Sequence, residues 1–305
     1  AAPAPAARPE PKPPVEARPT RLSVTEIETL IRDPYAIYAR HVLRLQPMEE
    51  LAEAPDGGDR GSIVHEVLHL FVAGRQAESP AEAQARFMRL ADDALEAYAA
   101  FPEVLALWRP RLEKIGAWFI AQFERPRAGQ IADSLLEQRE ALDLPVDGTP
   151  FTLVGRADRI DRFKDGGLGI LDYKTGTVPS AAQVQSLLAP QLPLEAGMVR
   201  QGAFGADLAE RPIAMLAYVK LSGTGAGGAV TDVTLPIRGG GPPPSADELA
   251  AMALERLRRL VSHYRNPATG YPSRPRIQFQ RDTDGPYDHL ARVKEWAAGE
   301  GGESE

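Results

Sequence analysis

Cysteine is absent from all 305 residues of this chain. Its absence excludes disulfide scaffolds, thiolate zinc sites, cysteine-ligated iron–sulfur clusters and cysteine nucleophiles. It also fits a reducing compartment, so a cytoplasmic location is expected. No apolar run nears the roughly 20 residues that a membrane-spanning helix needs, and no membrane partner is expected. No G-x-x-x-x-G-K-[ST] occurs, so no nucleotide site of the Walker type is expected. Positive charge is in deficit, with 35 Lys+Arg against 42 Asp+Glu for a net charge of −7. That balance argues against a protein that coats nucleic acid with its whole surface, although a local basic path remains compatible with it.

Proline and glycine, by contrast, are plentiful at 28 and 27 residues, and the prolines are unevenly placed. Residues 1–20, AAPAPAARPEPKPPVEARPT, hold seven Pro and six Ala. This composition reads as an extended linker, and without an apolar stretch it is not a signal peptide. With no initiator Met, the chain reads as the carboxy-terminal piece of something longer. Residues 21–298 read as the globular domain and 299–305 as a disordered tail.

Within 21–298 the apolar spacing predicts helices from Leu22 onward, broken near Pro34. SIVHEVLHLFVAGR reads as a further helix, with Ser62 as a candidate cap and Gly74 near its end. Residues 80–124 read as two or three helices. The texture changes near Leu135: QREALDLPV, TPFTLVGRADRIDRF and LGILDYKTG read as strands joined by the turns PVDGTP and KDGG. Residues 183–209 return to helix, RPIAMLAYVKL and AVTDVTLPI form a hairpin around SGTGAGG, and 245–264 is helical. The fold class is therefore α/β: about five central strands flanked by helices, with a helical insertion. Charge is segregated as well. Residues 46–105 carry twelve acids and four Lys/Arg, whereas 255–281 carry seven Arg and one Glu. The second stretch is the favoured contact for an anionic polymer, with a solvated basic face as the alternative.

Three motifs suggest chemistry without completing it. HEVLH (65–69) matches H-E-x-x-H, which places two His on one helical face with Glu66 as a base, but no third zinc ligand follows nearby. GTGAGG (223–228) matches G-x-G-x-x-G, yet strand-like residues follow where a dinucleotide site needs a helix. KTG (174–176) echoes a β-lactamase box in a chain without S-x-x-K.

A better set lies in GRADRIDRFKDGGLGILDYKTG, residues 155–176. A hairpin turning at KDGG pairs residues whose numbers sum to about 331, which sets Asp158 opposite roughly Tyr173, within one residue of Asp172. Asp172 and Lys174 share a face while Tyr173 points away. If Asp158 lies on that same face, two carboxylates and an ammonium converge beside the apolar Ile170 and Leu171. Carboxylate oxygens suit magnesium or manganese, and such a centre hydrolyses phosphate esters, with Lys174 orienting the attacking water. The same spacing also suits a surface hairpin in which Arg156, Arg159, Asp161 and Arg162 form ordinary ion pairs.

The residues GRADRID…GILDYKTG resemble the nuclease core of the PD-(D/E)XK superfamily, RecB-like branch, with its G-x-x-D followed by D-Y-K. The resemblance implies Asp158 and Asp172 as metal ligands and Lys174 as the catalytic lysine. GSIVH (61–65) matches the branch's G-x-x-x-H and implies His65 as a further metal ligand, with Glu66 and His69 incidental. Of the branch's Q-x-x-x-Y, Gln191 is present as a residue facing DNA, but Glu195 stands in the tyrosine's place. The run through PQLPLEAG, with the ending YDHLARVKEW, narrows the likeness to the carboxy-terminal nuclease domain of the AddB family. It implies a restriction-endonuclease-like fold and a Mg²⁺- or Mn²⁺-dependent deoxyribonuclease acting on single-stranded DNA ends in double-strand break repair and recombination. It further implies an AddA helicase–nuclease partner. Asp33 in DPYAIY stands where cluster-bearing relatives place a cysteine, so no iron–sulfur cluster is implied and local packing must replace it. Glu140 is a weaker accessory acid, since Arg139 and Arg156 lie at hand to pair with it. A non-catalytic DNA- or partner-binding module is the competing reading, and a zinc metallopeptidase the more distant one.

Overall fold

TPFTLVGRADRIDRF forms one long strand, Thr149–Phe163, around which a six-stranded mixed sheet is built. The computed structural model describes residues 7–47, 55–237, 241–275 and 285–300. In chain order the first elements are β1 (Arg21–Ser23), α1 (Val24–Arg32) and α2 (Pro34–Ile37). The helical insertion comprises α3 (Gly57–Ala73), α4 (Pro80–Leu95), α5 (Pro102–Trp118) and α6 (Arg125–Ala128). Then come β2 (Ile131–Val146), β3 (Thr149–Phe163) and β4 (Leu168–Lys174). Three helices follow: α7 (Ala181–Gln185), α8 (Gln191–Arg200) and α9 (Ala206–Ala209). The series closes with β5 (Ile213–Leu221), β6 (Gly228–Asp232), α10 (Ala246–Arg265) and α11 (Val293–Glu300). Strand order is β1-β3-β4-β5-β6, with β2 paired to β3. β4 runs antiparallel to β3 and parallel to β5. No helix among the described residues is long and apolar enough to cross a membrane.

The chain divides into two compact units. One comprises residues 51–140 and 155–252, the other 1–50, 141–154 and 253–305. In the first, β4 is central and apolar enough (LGILDYK) to be buried on both faces, as a strand with a parallel neighbour requires. One face, with Leu171, Tyr173, Ala217 and Val219, packs on Val67, Phe71, Phe87 and Phe119 of the insertion helices. Gly116 is needed there, because a Cβ would stand 2.5 Å from Phe87 Cδ1. α8 also packs on β4 and β5 and is buried along its length except at Arg200. Ser62 is not the cap of α3: the helix begins earlier, at Gly57, with Asp56 accepting from the N–H groups of Gly58 and Asp59. Ser62 sits inside it and donates to the Gly58 carbonyl.

In the other unit Leu22 lies on β1, parallel to β3, so α1 starts only at Val24 under the Ser23–Glu26 capping box. Residues 7–20 do not run free as a linker. The backbone of Pro9 and Pro11 accepts from Ser273 and Tyr271. The Arg18 guanidinium donates to the carbonyls of Pro13, Tyr264, Asn266 and Pro267. Asp33 accepts from the Arg274 N–H at 3.0 Å, and Arg274 in turn pairs with the Asp288 carboxylate. These bonds tie α1–α2 to the carboxy-terminal segment. Residues 276–281 of the arginine-rich stretch and 301–305 of the expected tail lie outside the described residues.

Candidate active site

The β3–β4 ladder ends at Arg159 opposite Leu171, a register summing to 330, just short of Asp158 and Asp172. Here the Asp158 carboxylate takes over from the backbone: its Oδ2 accepts the Tyr173 N–H at 2.8 Å. Asp172, almost wholly buried, lies 2.9 Å from the Lys174 ammonium. Burial pushes the Asp172 carboxyl up to about 6 against the pull of Lys174. Burial also works against the charged form of Lys174, but Asp172 beside it outweighs that and raises its pKa, so the ammonium stays protonated.

His65 comes from α3. Gly61, one turn earlier, lets that helix approach the end of β4, since a Cβ there would stand 3.2 Å from Thr175 Oγ1. His65 Nε2 is 3.0 Å from the Tyr173 carbonyl, while Nδ1 is 3.5 Å from Asp158 and 3.8 Å from Glu137. Burial pulls the imidazole down, but the two carboxylates override it and lift its pKa to about 10. The ligand atoms of His65, Glu137 and Asp158 all lie within 4.8 Å of one another. One nitrogen and two carboxylate oxygens suit a hard divalent cation, so these residues fit the metal that the chemistry calls for.

Glu137 is the ligand candidate that sequence reasoning missed. It sits on β2 with φ +52°, a backbone kink no alternation pattern reveals, and Arg156 pairs with it. Glu140, the accessory acid considered instead, is not part of the cluster. Asp172 is not among the three grouped atoms; it faces Lys174 and Gln191. From α8 the Gln191 amide donates to Asp172 and accepts from Lys174 at 3.0 Å.

The other motifs resolve structurally. Of HEVLH only His65 joins a metal-ligating group among the described residues, and Glu66 is exposed. GTGAGG is the β5–β6 hairpin loop, with Gly223 and Gly227 at φ +65° and +100°. A Cβ at either would stand 2.6 Å from the backbone of α5. Arg156, Arg159 and Arg162 pair with Glu137, Asp161 and Asp133, which leaves Asp158 and Asp172 to the site. The wholly buried Arg159 also reaches Glu124 and the Tyr173 hydroxyl, bracing the hairpin from its other face.

The family description of the PD-(D/E)XK nuclease superfamily matches residues 21–276. The chain belongs to that superfamily, whose restriction-endonuclease-like α/β fold accords with the mixed sheet and flanking helices. Among similar proteins, an uncharacterized protein of Rickettsia bellii is 29% identical over 71% of this chain and 27% of its own length. One of Rickettsia conorii is 31% identical over 61% of this chain and 23% of its own. The chain therefore spans about a quarter of the curated relatives it matches. The crystal structure of SSO0001 is similar at 12% identity, with a TM-score of 0.31 over 78% of this chain and 75% of that one.

Proposed function

We propose that this chain is a divalent-metal-dependent deoxyribonuclease domain that hydrolyses phosphodiester bonds at single-stranded DNA ends. The observation that carries the reading is the meeting of Asp158, Asp172 and Lys174 at the end of one hairpin, with His65 and Glu137 closing the cluster. His65, Glu137 and Asp158 are the residues to hold the metal, with Asp172 the further ligand that the D-Y-K pattern implies. When bound, Mg²⁺ or Mn²⁺ supplies an acidified water and offsets charge on the scissile phosphate. Lys174 orients the attacking water and counters the charge that gathers on the phosphate oxygens in the transition state. Gln191 holds that ammonium in place.

The finer reading is an AddB-type subunit, working with an AddA helicase–nuclease in double-strand break repair in the cytoplasm. Its support is the run RADRID…DYKTG…PQLPLEAG and the ending YDHLARVKEW. A domain fed with DNA by a motor also needs no strongly basic surface of its own, in keeping with the net charge of −7. The test is cleavage of end-labelled single-stranded DNA by the purified chain, with and without Mg²⁺, alone and with an AddA-type partner. Metal-dependent cleavage lost in Asp172→Ala is the expected result. Metal-independent DNA binding without cleavage under every condition would favour the non-catalytic module.

A further inference from the structure

Glu195 is fully buried on α8, one helical turn after Gln191, on a helix whose other buried side chains are almost all apolar. A carboxylate in such a place is costly unless polar partners offset it. Its partner is the Gln191 amide, which donates from Nε2 to Glu195 Oε1 at 3.2 Å. The same Nε2 donates to Asp172, and Gln191 Oε1 accepts from Lys174 Nζ at 3.0 Å. Chemistry fixes which way round the amide sits. The Asp172 carboxylate only accepts and the Lys174 ammonium only donates, so the flipped amide would lose both of those bonds.

We propose that Glu195 is a positioning residue for Lys174, acting through the Gln191 amide; this rests on the nuclease reading above. Glu195 gives the amide nitrogen a second acceptor from the helix itself. The amide then stays locked while Asp172 is engaged with other partners. Locked, Gln191 presents its oxygen to Lys174, whose side chain is 29% exposed and would otherwise be steered by Asp172 alone. The carboxylate stands where the resembled Q-x-x-x-Y pattern has a tyrosine. A role inside the cluster, rather than a ring facing DNA, is what that exchange leaves at this position.

The experiment compares Glu195→Leu, Glu195→Gln, Gln191→Met and the Leu/Met double variant, in the full chain, on a single-stranded oligonucleotide with Mg²⁺. Loosening a catalytic group through its support costs on the order of 10- to 100-fold. Glu195→Leu is therefore expected to lower kcat by that much with KM unchanged. Glu195→Gln, which keeps an acceptor for Nε2, restores most of kcat. The double variant is expected to be no slower than Gln191→Met alone, because action through Gln191 makes the two losses non-additive. Wild-type kcat in a folded Glu195→Leu protein, a rise in KM alone, or additive losses would overturn the proposal.

A wild-type chain that cleaves nothing, alone or with its partner, sinks the nuclease reading instead. The Glu195–Gln191 link is then judged by NMR. The Gln191 side-chain amide protons should exchange slowly in wild type and Glu195→Gln, and fast in Glu195→Leu while the α8 backbone stays protected. Slow exchange in Glu195→Leu refutes the link.

Discussion

Asp158 Oδ2 accepts the backbone N–H of Tyr173 at 2.8 Å, so a side chain from β3 completes the hydrogen bonding of β4 at the point where their ladder ends. One carboxylate oxygen is thereby spent on the fold, and the other, Oδ1, faces His65 at 3.5 Å. Removing Asp158 should therefore differ from removing Lys174. Lys174→Ala is expected to cut cleavage about 10²- to 10³-fold with the melting temperature nearly unchanged. Asp158→Ala should abolish cleavage and also destabilise by about 1 kcal/mol through the orphaned Tyr173 N–H. Paired activity assays and urea melts separate the two.

Glu137 provides the sharpest check of the metal cluster. Glu137→Gln is expected to weaken Mn²⁺ binding by about 10- to 100-fold, a loss typical when a group in or next to a metal's ligand set is changed. Glu140→Gln, three residues on along the same strand and outside the cluster, leaves it unchanged. Isothermal titration of both variants decides; equal affinities would remove Glu137 from the set.

The His65 imidazole carries a pH signature in the metal-free protein. Its pKa is raised from 6.5 to about 10 in the folded state, so the folded protein binds the proton more tightly than the unfolded chain. The stabilisation is complete below pH 6.5 and is lost as pH rises toward 10. The melting temperature of metal-free protein should fall across that window, and His65→Asn should flatten the fall. Because a metal needs the neutral imidazole, Mn²⁺ affinity should rise over the same range.

Arg159 is fully buried between Asp161 and Glu124, behind the β3–β4 hairpin. Arg159→Leu leaves Asp161 with Arg127 and Glu124 with Arg75 as their remaining cationic partners, and losing one partner of a buried pair is expected to cost up to about 3–5 kcal/mol. A urea midpoint within error of wild type would contradict this bracing role.

The sequence by itself determined the hairpin of β3 and β4. Strand alternation and the KDGG turn put Asp158 opposite Tyr173 with a sum of about 331, and the ladder runs one register step from that, at 330, because a two-residue period leaves little freedom once the turn is fixed. The resemblance of GSIVH to G-x-x-x-H singled out His65, but the approach of α3 to the end of β4 is a fact of the tertiary structure. Glu137 stayed hidden because a kinked φ, not a pattern, aims it inward. The start of α3 was misplaced because Asp56, beyond the apolar run, is the residue that satisfies its first N–H groups. The packing of residues 9–18 against 264–273 was decided by carbonyl and guanidinium partners about 250 positions apart, which proline content cannot announce. Glu195 gained its meaning the same way. As sequence, the carboxylate in PLEAG stood out only as a departure from Q-x-x-x-Y, and the burial of α8 is what sets it against the amide that holds Lys174.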